Sequence, residues 1–314
     1  MITKTLVTQW DGYTISWQEP EKVEVRKSYR ILNLGAGVQS TVLALMPKNG
    51  EIEPYHFAIF ADTGEEPLAV YKHLQWLINE VSDLFPVFIR QKGILGTDLL
   101  NGVNKATDGT RFASIPAFTS AIESQPGGLT RRQCTSDYKT AVIERFIRRE
   151  ALGIKPRCRM DKSIELIQYL GLSYEEAGRA LRVRARFNDT GFSTPKFPLL
   201  EMGMTRRDCE RWMERYGVPH KVELSACVFC PYKSNAEWKR LKEENPKGWA
   251  RAVQIDEGIR MDGACVARGV RDRLYIHRQC VPLAIADLRP KDEKVGQGSI
   301  FDSMDAVCDG MCGT

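Results

Sequence analysis

The sequence predicts an α/β protein, in which a parallel sheet is flanked by helices and followed by a helical, cysteine-bearing C-terminal part. Three observations indicate this fold class. Apolar runs typical of buried strands alternate with runs of helical period, small or polar residues follow the strands, and the chain becomes more helical toward its C-terminus. Strands and helices that alternate along a chain form βαβ units, and these units build parallel sheets.

The predicted elements follow an N-terminal arm. Residues 1–27 are polar with scattered aromatic residues and no helical period, so we expect an arm or a short hairpin. Apolar runs predict buried strands at 29–34, 55–63 and 85–90. Helical periodicity predicts helices that begin at Ser40, span 70–81 and span 136–153. His73 is expected on the surface of its helix.

Later helix starts are predicted from capping boxes, in which Ser or Thr precedes an acidic residue by three positions. The pairs are Ser173 with Glu176, Thr205 with Asp208, and Ser234 with Glu237.

Composition is that of a soluble globular protein. The chain has 314 residues, of which 43% are hydrophobic and 27% charged. No segment approaches the roughly 18 apolar residues of a membrane span, and the N-terminus lacks the apolar core of a signal peptide. We therefore expect a cytoplasmic protein without a membrane partner.

Cysteine and arginine are distributed in ways that suggest chemistry. Nine cysteines in a reducing compartment favour metal binding or catalysis over a disulfide framework. The net charge is only +5, but arginines cluster between residues 131 and 186. Solvated helix faces explain part of this clustering, and an anionic ligand, either phosphate or nucleic acid, explains it better.

Residues 35–41, GAGVQST, form what we call the glycine loop between the first predicted strand and helix. Such a turn directs backbone N–H groups and a helix N-terminus to one point, and this geometry binds phosphate. Gly35 and Gly37 permit close approach, and Ser40 and Thr41 can donate hydroxyl groups. The spacing matches neither the P-loop nor the dinucleotide fingerprint, so a plain tight turn is the alternative.

The sequence FADTGEEP places Asp62, Thr63, Gly64 and Glu65 at the carboxyl end of the second predicted strand. Ligands of open α/β sheets bind outside the carboxyl ends of the strands. Asp62 is suited to hold a ribose hydroxyl, a nucleotide amine or a Mg²⁺ ion, and its structural alternative is to cap a turn.

Together with Tyr71 on the following helix, these two loops resemble those of the adenine nucleotide alpha-hydrolase superfamily. It includes the PP-loop ATP pyrophosphatases and the PAPS (phosphoadenylyl-sulfate) and APS (adenylyl-sulfate) reductases. Gln39 stands where the pyrophosphatase loop S-G-G-x-D-S carries Asp and the reductases often carry Gln or Glu. Residues 134–147, CTSDYKTAVIERFI, resemble the APS reductase segment in which a cysteine precedes a lysine helix. The similarity covers roughly residues 29–240.

The resemblance implies an adenine nucleotide-binding fold whose ligand is PAPS, APS or ATP, with Mg²⁺ as a further candidate. The residues expected to bind the nucleotide are Gly35, Ala36, Gly37, Gln39, Ser40, Thr41, Asp62, Thr63, Gly64 and Arg131.

Four cysteines are candidate metal ligands. Cys227 and Cys230 form a C-x-x-C turn, whose thiolates point into one concavity. Cys134 lies in a basic segment and Cys209 in the first turns of a helix, and both environments stabilise thiolates. Together the four would complete a [4Fe–4S] site, with zinc as the second choice, whereas inert buried cysteines are the alternative.

In the resemblance, Cys134 and the C-x-x-C pair correspond to cluster ligands of APS reductases. The doubled cysteine of those enzymes is missing, since Gln133 precedes Cys134. Cys209 is therefore preferred over Cys308 as the fourth ligand. No chemistry is assigned to Cys158, Cys265 and Cys280.

The C-terminal CDGMCGT resembles the reductase tail, in which a Cys-Gly pair supplies the nucleophile. Cys312 fits this role by position, and thioredoxin or a similar thiol would reduce its S-sulfo adduct. Arg131, Arg132 and Lys139 are expected to hold the sulfate through charge-assisted hydrogen bonds. Their alternative role is surface charge.

Three functions follow from these patterns. The first is a PAPS/APS reductase-like oxidoreductase that forms sulfite. The second is an ATP-dependent adenylating sulfurtransferase that modifies a nucleic acid or nucleobase, which Ser40, Thr41 and the arginine-rich middle favour. The third is a non-catalytic nucleotide or nucleic-acid binder with a structural metal. The expected divisions are an arm (1–27), a nucleotide-binding α/β domain (28–155), a helical iron–sulfur part (156–300) and a flexible cysteine-bearing tail (301–314).

Overall fold

The computed structural model describes residues 1–8, 11–103, 114–121, 124, 127–261 and 272–289. At its centre is a five-stranded sheet in which all neighbouring strands are parallel. Helices pack on both faces of this sheet, which confirms the predicted α/β class with a flanked parallel sheet. The strands within these ranges are β1 (Ile2–Val7), β2 (Thr14–Glu19), β3 (Ser28–Leu34), β4 (Phe57–Ala61), β5 (Val87–Arg90), β6 (Phe118–Ser120), β7 (Gly128–Leu129), β8 (Glu165–Leu170), β9 (Thr194–Lys196) and β10 (Arg273–Tyr275).

The helices vary widely in length. They are α1 (Val38–Leu45), α2 (Leu68–Val81), α3 (Leu95–Asn101), α4 (Gln133–Thr135), α5 (Ala141–Phe146), α6 (Ala177–Thr190), α7 (Pro198–Glu201), α8 (Arg206–Tyr216), α9 (Asn235–Glu244) and α10 (Pro246–Met261). Short 3₁₀ turns span Met46–Asn49, Tyr174–Glu176 and Leu283–Ile285, and π-helical turns span Ser136–Thr140 and Ile147–Ala151. Within the described ranges, none of the helices combines the length and apolar character needed to cross a bilayer.

The strand order of the central sheet is β5-β4-β3-β8-β9. The three predicted strands correspond to β3, β4 and β5. No strand was predicted beyond residue 90, yet β8 and β9 extend the sheet into the segment expected to be helical. The expected division at residues 155 and 156 therefore falls between two strands of one sheet.

Side chains of β3 alternate between two core layers, as strand geometry requires. Leu32 and Leu34 pack with α1, α2 and α8 on one face of the sheet. Tyr29 and Ile31 pack on the other face against α5. A third cluster joins α3, α9 and α10 with strand β10 and with Ile115 and Ala117, which precede β6.

The N-terminal arm is an antiparallel hairpin of β1 and β2. A short hairpin was one of the two predicted alternatives. The hairpin is attached to the main body, because Ser16 N–H donates to Gln75 Oε1 of α2 at 2.7 Å. Glu19 also accepts from both terminal nitrogens of Arg90 at 3.0 Å, which holds the hairpin against β5.

All three predicted capping boxes are confirmed. Thr205 Oγ1 accepts from Asp208 N–H at 3.1 Å at the start of α8. Ser234 Oγ accepts from Glu237 N–H at 3.3 Å at the start of α9. Each device satisfies N–H groups that a helix end otherwise leaves without partners.

Candidate functional site

The glycine loop follows β3, which lies between β4 and β8 in the sheet. The chain proceeds from β3 to β4 and β5 on one side and later returns to β8 on the other side. Connections therefore leave the carboxyl ends of β3 and β8 in opposite directions. This topological switch point is where open α/β sheets bind ligands.

Within the glycine loop, the left-handed backbone conformation falls on Ala36, with φ of 55°. Gly37 is the extended N-cap residue of α1, with φ of −100° and ψ of −178°. Its N–H donates to Ser40 Oγ at 3.1 Å, and the same hydroxyl lies 3.2 Å from Gly37 O. All residues from 35 to 41 are buried, so a ligand can reach this loop only by displacing groups that cover it.

Thr41 Oγ1 lies 2.8 Å from His73 Nε2, and His73 Nδ1 lies 2.8 Å from His220 Nε2. His73 is buried between α1 and α2, so the prediction that it lies on the helix surface was wrong. Burial, with a smaller effect of His220, lowers the pKa of His73 to about 3, so this imidazole is neutral at pH 7. The hydroxyls of Ser40 and Thr41 thus both make internal contacts, and their phosphate role stays a prediction.

Gly171, directly after β8, closes the loop from the neighbouring strand. A Cβ atom on Gly171 would lie 2.8 Å from Ser40 N and 3.0 Å from the carbonyl carbon of Gln39. Both are backbone atoms, which cannot rotate away as a side chain can. The close approach of β8 to the start of α1 therefore requires glycine at this position.

We expect Gly171→Ala to lower the free energy of unfolding by about 1–3 kcal/mol, because overpacking must displace backbone. Gly178→Ala in α6 is the matched control, since its Cβ would meet only Arg182 Nη1 at 3.9 Å. Alanine in a helix is about 0.5–1 kcal/mol more favourable than glycine, so the control should be neutral or stabilising. Urea denaturation of both variants measures the difference, and equal effects would contradict the proposed close packing.

Residues 62–66, which we call the acidic turn, follow β4. The carboxylate of Asp62 is fully buried and accepts three hydrogen bonds. Its Oδ1 accepts from Tyr71 Oη at 2.8 Å and from Gly64 N–H at 2.9 Å, and its Oδ2 accepts from Gln91 Nε2 at 2.8 Å. Asp62 therefore caps the turn, and its contact with a nucleotide or Mg²⁺ stays a prediction.

Burial raises the pKa of Asp62 to about 6, although the hydrogen bonds from Gly64 and Tyr71 act in the opposite direction. The nearby Glu66 carboxylate also raises this pKa, and Lys139 lowers it. A carboxyl group with this pKa changes charge near neutral pH.

Glu65 and Glu66 are both buried at the same turn. The sequence placed Glu65 at the ligand-binding edge of the sheet and assigned no role to Glu66. Glu65 Oε1 accepts from Arg251 Nη2 at 2.6 Å and from Gly96 N–H at 3.1 Å. The backbone oxygen of Glu65 accepts from Val228 N–H at 2.8 Å, which joins the acidic turn to the C-x-x-C segment. The only signal in the sequence is two adjacent acids directly after a buried strand.

Glu66 connects two further segments to the acidic turn. Lys139 Nζ donates to Glu66 Oε1 at 3.3 Å, and Ser225 Oγ donates to Glu66 Oε2 at 3.3 Å. Lys139 lies in the π-helical turn Ser136–Thr140 and is buried, so its alternative role as surface charge is excluded. Single π turns within helices are frequent at functional sites.

The basic residues around Lys139 differ in exposure. Arg131 is exposed, whereas the guanidinium carbon of Arg132 lies 5.1 Å from the centre of the Tyr232 ring. Tyr232 follows the C-x-x-C turn by two residues, so this contact joins the basic segment to the cysteine segment. The helical segment begins at Gln133, and Cys134 therefore lies within its first turn and not before the helix.

The thiol of Cys227 contacts the acidic turn. Its Sγ lies 3.2 Å from Thr63 Oγ1, and Cys230 N–H donates to Cys227 O at 2.9 Å in a tight turn. Cys134 and Cys227 pack against the same core cluster. The structure therefore brings a cysteine of the predicted metal set to the carboxyl edge of β4.

Cys209 is buried in the core cluster of α1 and α8, which is a different cluster from that of Cys134 and Cys227. Across the described ranges, no three His, Cys, Asp or Glu residues form a group that could hold a metal ion. The [4Fe–4S] cluster and zinc stay predictions.

Several predicted residues lie outside the described ranges. They are Cys265, Cys308 and Cys312, together with the whole predicted tail.

Comparisons with protein-family models, curated proteins and solved structures find no match to this chain. Its function must therefore be argued from its own residues and their geometry.

Proposed function

We propose that this chain is a PAPS reductase-like enzyme with an adenine nucleotide alpha-hydrolase-like fold. It binds an adenylated sulfate, PAPS or APS, at the switch point and reduces it to sulfite with electrons from a dithiol such as thioredoxin. The observation that carries the proposal is the meeting of two predicted features at one sheet edge. The acidic turn beside the glycine loop's strand contacts Cys227, with Thr63 Oγ1 and Cys227 Sγ 3.2 Å apart.

The groups around this edge suit an anionic substrate. The N-terminus of α1 supplies backbone N–H groups and the positive end of a helix dipole, which favour phosphate. Lys139 and Arg132 are linked to the same region through Glu66 and Tyr232. Cations near a sulfate would stabilise the charge that passes to the leaving phosphate.

The reaction is a two-electron reduction in two transfers. A cysteine thiolate, assigned to Cys312 by the resemblance, attacks the sulfate sulfur, and the bond from sulfur to the nucleotide's phosphate oxygen breaks. The nucleotide leaves, and the cysteine carries an S-sulfo group. A dithiol then attacks the cysteine sulfur and releases sulfite, and its second thiol completes a disulfide while the cysteine regains its thiol.

The direct test supplies the purified chain with PAPS or APS and a reduced dithiol and measures sulfite. We expect the wild type and Cys158→Ser to form sulfite, because Cys158 is exposed and has no assigned role. Cys312→Ser should form none. A wild type that releases no sulfite from either substrate would reject the reductase proposal.

A second candidate function is ATP-dependent sulfur transfer to a nucleic acid or nucleobase. The observation that favours it is the position of α6, which begins beside the glycine loop. Gln39 Nε2 donates to Glu176 Oε2 at 3.4 Å just before α6, and Arg182 and Arg184 of this helix are exposed. Exposed arginines next to a nucleotide site suit a phosphate backbone.

Release of pyrophosphate from ATP separates the candidates. A sulfurtransferase should release pyrophosphate only when its nucleic acid or nucleobase acceptor is present, whereas a reductase should release none. Nucleotide binding with no turnover in either assay would instead support the non-catalytic binder.

A further inference from the structure

Gln39 holds a buried polar atom that no hydrogen bond within the described ranges satisfies. The residue is in the first turn of α1, and its side chain is almost fully buried, at 1% exposure. Its Nε2 donates to Glu176 Oε2 at 3.4 Å, whereas its Oε1 has no hydrogen-bond partner among the described residues. Buried polar atoms are nearly always paired, so this oxygen requires an explanation.

The orientation of the Gln39 amide is determined by Glu176. The Glu176 carboxylate also accepts from Ser173 N–H at 3.1 Å and from the guanidinium of Arg179 at 2.5 Å. Because a carboxylate accepts but does not donate, the amide must present its NH₂ group to Glu176. The unsatisfied atom is therefore the carbonyl oxygen, an acceptor.

An acceptor at this position discriminates between the parts of a nucleotide. Phosphate and sulfate oxygens are themselves acceptors and carry negative charge at pH 7, so the Gln39 carbonyl repels them. Ribose hydroxyls and the adenine 6-amino group are neutral donors that match it. The helix N-terminus supplies N–H groups for the phosphate, which leaves the carbonyl to contact the nucleoside.

We propose that Gln39 Oε1 accepts a hydrogen bond from a neutral donor of the bound nucleoside, either a ribose hydroxyl or the adenine 6-amino group. This inference rests on the proposed function, since it requires an adenine nucleotide at the glycine loop. It makes Gln39 a specificity residue for the nucleoside and not a phosphate ligand. Binding must displace the groups that bury this oxygen, and the new hydrogen bond offsets part of that displacement.

The experiment measures affinity for adenosine 5′-monophosphate and for three analogues. ATP and APS contain this nucleotide unchanged, whereas PAPS carries an additional phosphate on its 3′-hydroxyl. The analogues are 2′-deoxyadenosine, 3′-deoxyadenosine and purine riboside monophosphates, each of which lacks one candidate donor. Gln39→Met removes the acceptor at similar length, and Gln39→Leu is a second variant in case the first does not fold. Urea denaturation identifies the folded variants.

For the wild type, we expect one analogue to bind about tenfold more weakly than the parent, because it leaves the carbonyl unsatisfied. The folded variant should bind the parent about tenfold more weakly than the wild type does. Its affinities for the parent and for that analogue should differ by less than twofold. Equal discrimination by wild type and variant, or no discrimination by the wild type, would overturn this inference alone. Failure of the wild type to bind the parent, ATP, APS and PAPS would overturn the proposed function as well.

Discussion

Lys139→Met is expected to lower the free energy of unfolding by about 3–5 kcal/mol, because it removes one charge of a buried ion pair. The side chain of Lys139 is 4% exposed, and that of Glu66 is fully buried. The remaining Glu66 carboxylate would lose the cation at 3.3 Å and would stay near Asp62, a second carboxyl group. Urea denaturation measures the loss as a lower midpoint concentration with an unchanged m-value.

Two further variants distinguish the ion pair from the packing of Lys139. Glu66→Gln should be similarly destabilising, whereas the double variant should lose less than the sum of the two single losses. Lys239→Met is the surface control, since Lys239 and Glu243 lie 4.0 Å apart and both are more than half exposed. This control should change stability by less than about 0.5 kcal/mol. If Lys139→Met costs no more than Lys239→Met, the buried pair does not contribute as we infer.

The Glu66 contacts explain why such a variant also affects the site. They join three segments, namely the acidic turn, the π-helical turn of Lys139 and the residues just before the C-x-x-C turn. The free energy gained from pairing therefore also positions the cation and the cysteine segment at the same edge. Groups held in place before substrate arrives need no reorganisation during the reaction.

Much of the sheet could be predicted because β3, β4 and β5 are apolar and lie next to clear helices. The strands β8 and β9 were not predicted, for physical reasons. Glu165 and Gln168 interrupt the apolar character of β8, and β9 has only three residues, too few to show a period. Pairing to β3 stabilises β8, and pairing to β8 stabilises β9, so both strands depend on tertiary contacts.

In the site, too, local features could be predicted from the sequence and long-range contacts could not. Strand ends predicted the position of the glycine loop and of Asp62, and C-x-x-C spacing predicted a tight turn. Glu66 pairs with Lys139 across 73 positions, and Glu65 with Arg251 across 186 positions. No local pattern reports such pairs. The same limit applies to Cys209, whose helix was predicted correctly while its core cluster could not be.

The second large effect expected concerns Asp62→Asn. We expect the difference in unfolding free energy between this variant and the wild type to depend on pH. The pKa of Asp62 is raised in the fold to about 6 from an ordinary value of 3.8. A raised carboxyl pKa means that the folded state favours the protonated form. The stability from this group is therefore complete below pH 3.8 and is lost as pH rises through about 6.

Asparagine keeps the shape of protonated Asp62 but cannot ionise, so Asp62→Asn avoids that loss. Between pH 4 and 8, the stability of the variant relative to the wild type should rise by about 2–3 kcal/mol, since one pKa unit corresponds to about 1.4 kcal/mol. The substitution also alters the contact with Gln91, but this effect does not depend on pH. It changes the stability of the variant equally at pH 4 and pH 8, so the expected rise between these pH values is unaffected. Urea denaturation across the pH range gives the result.

Asp208→Asn supplies a control of opposite sign. Hydrogen bonds from Thr205 lower the pKa of Asp208, so its stabilising effect is present above the ordinary carboxyl pKa and is lost as pH falls. Relative to the wild type, this variant should therefore lose stability as pH rises through the acid range, whereas Asp62→Asn gains it. If the stability difference for Asp62→Asn did not vary with pH, Asp62 would titrate alike in the folded and unfolded chains. The acidic turn would then not exclude water as its burial requires.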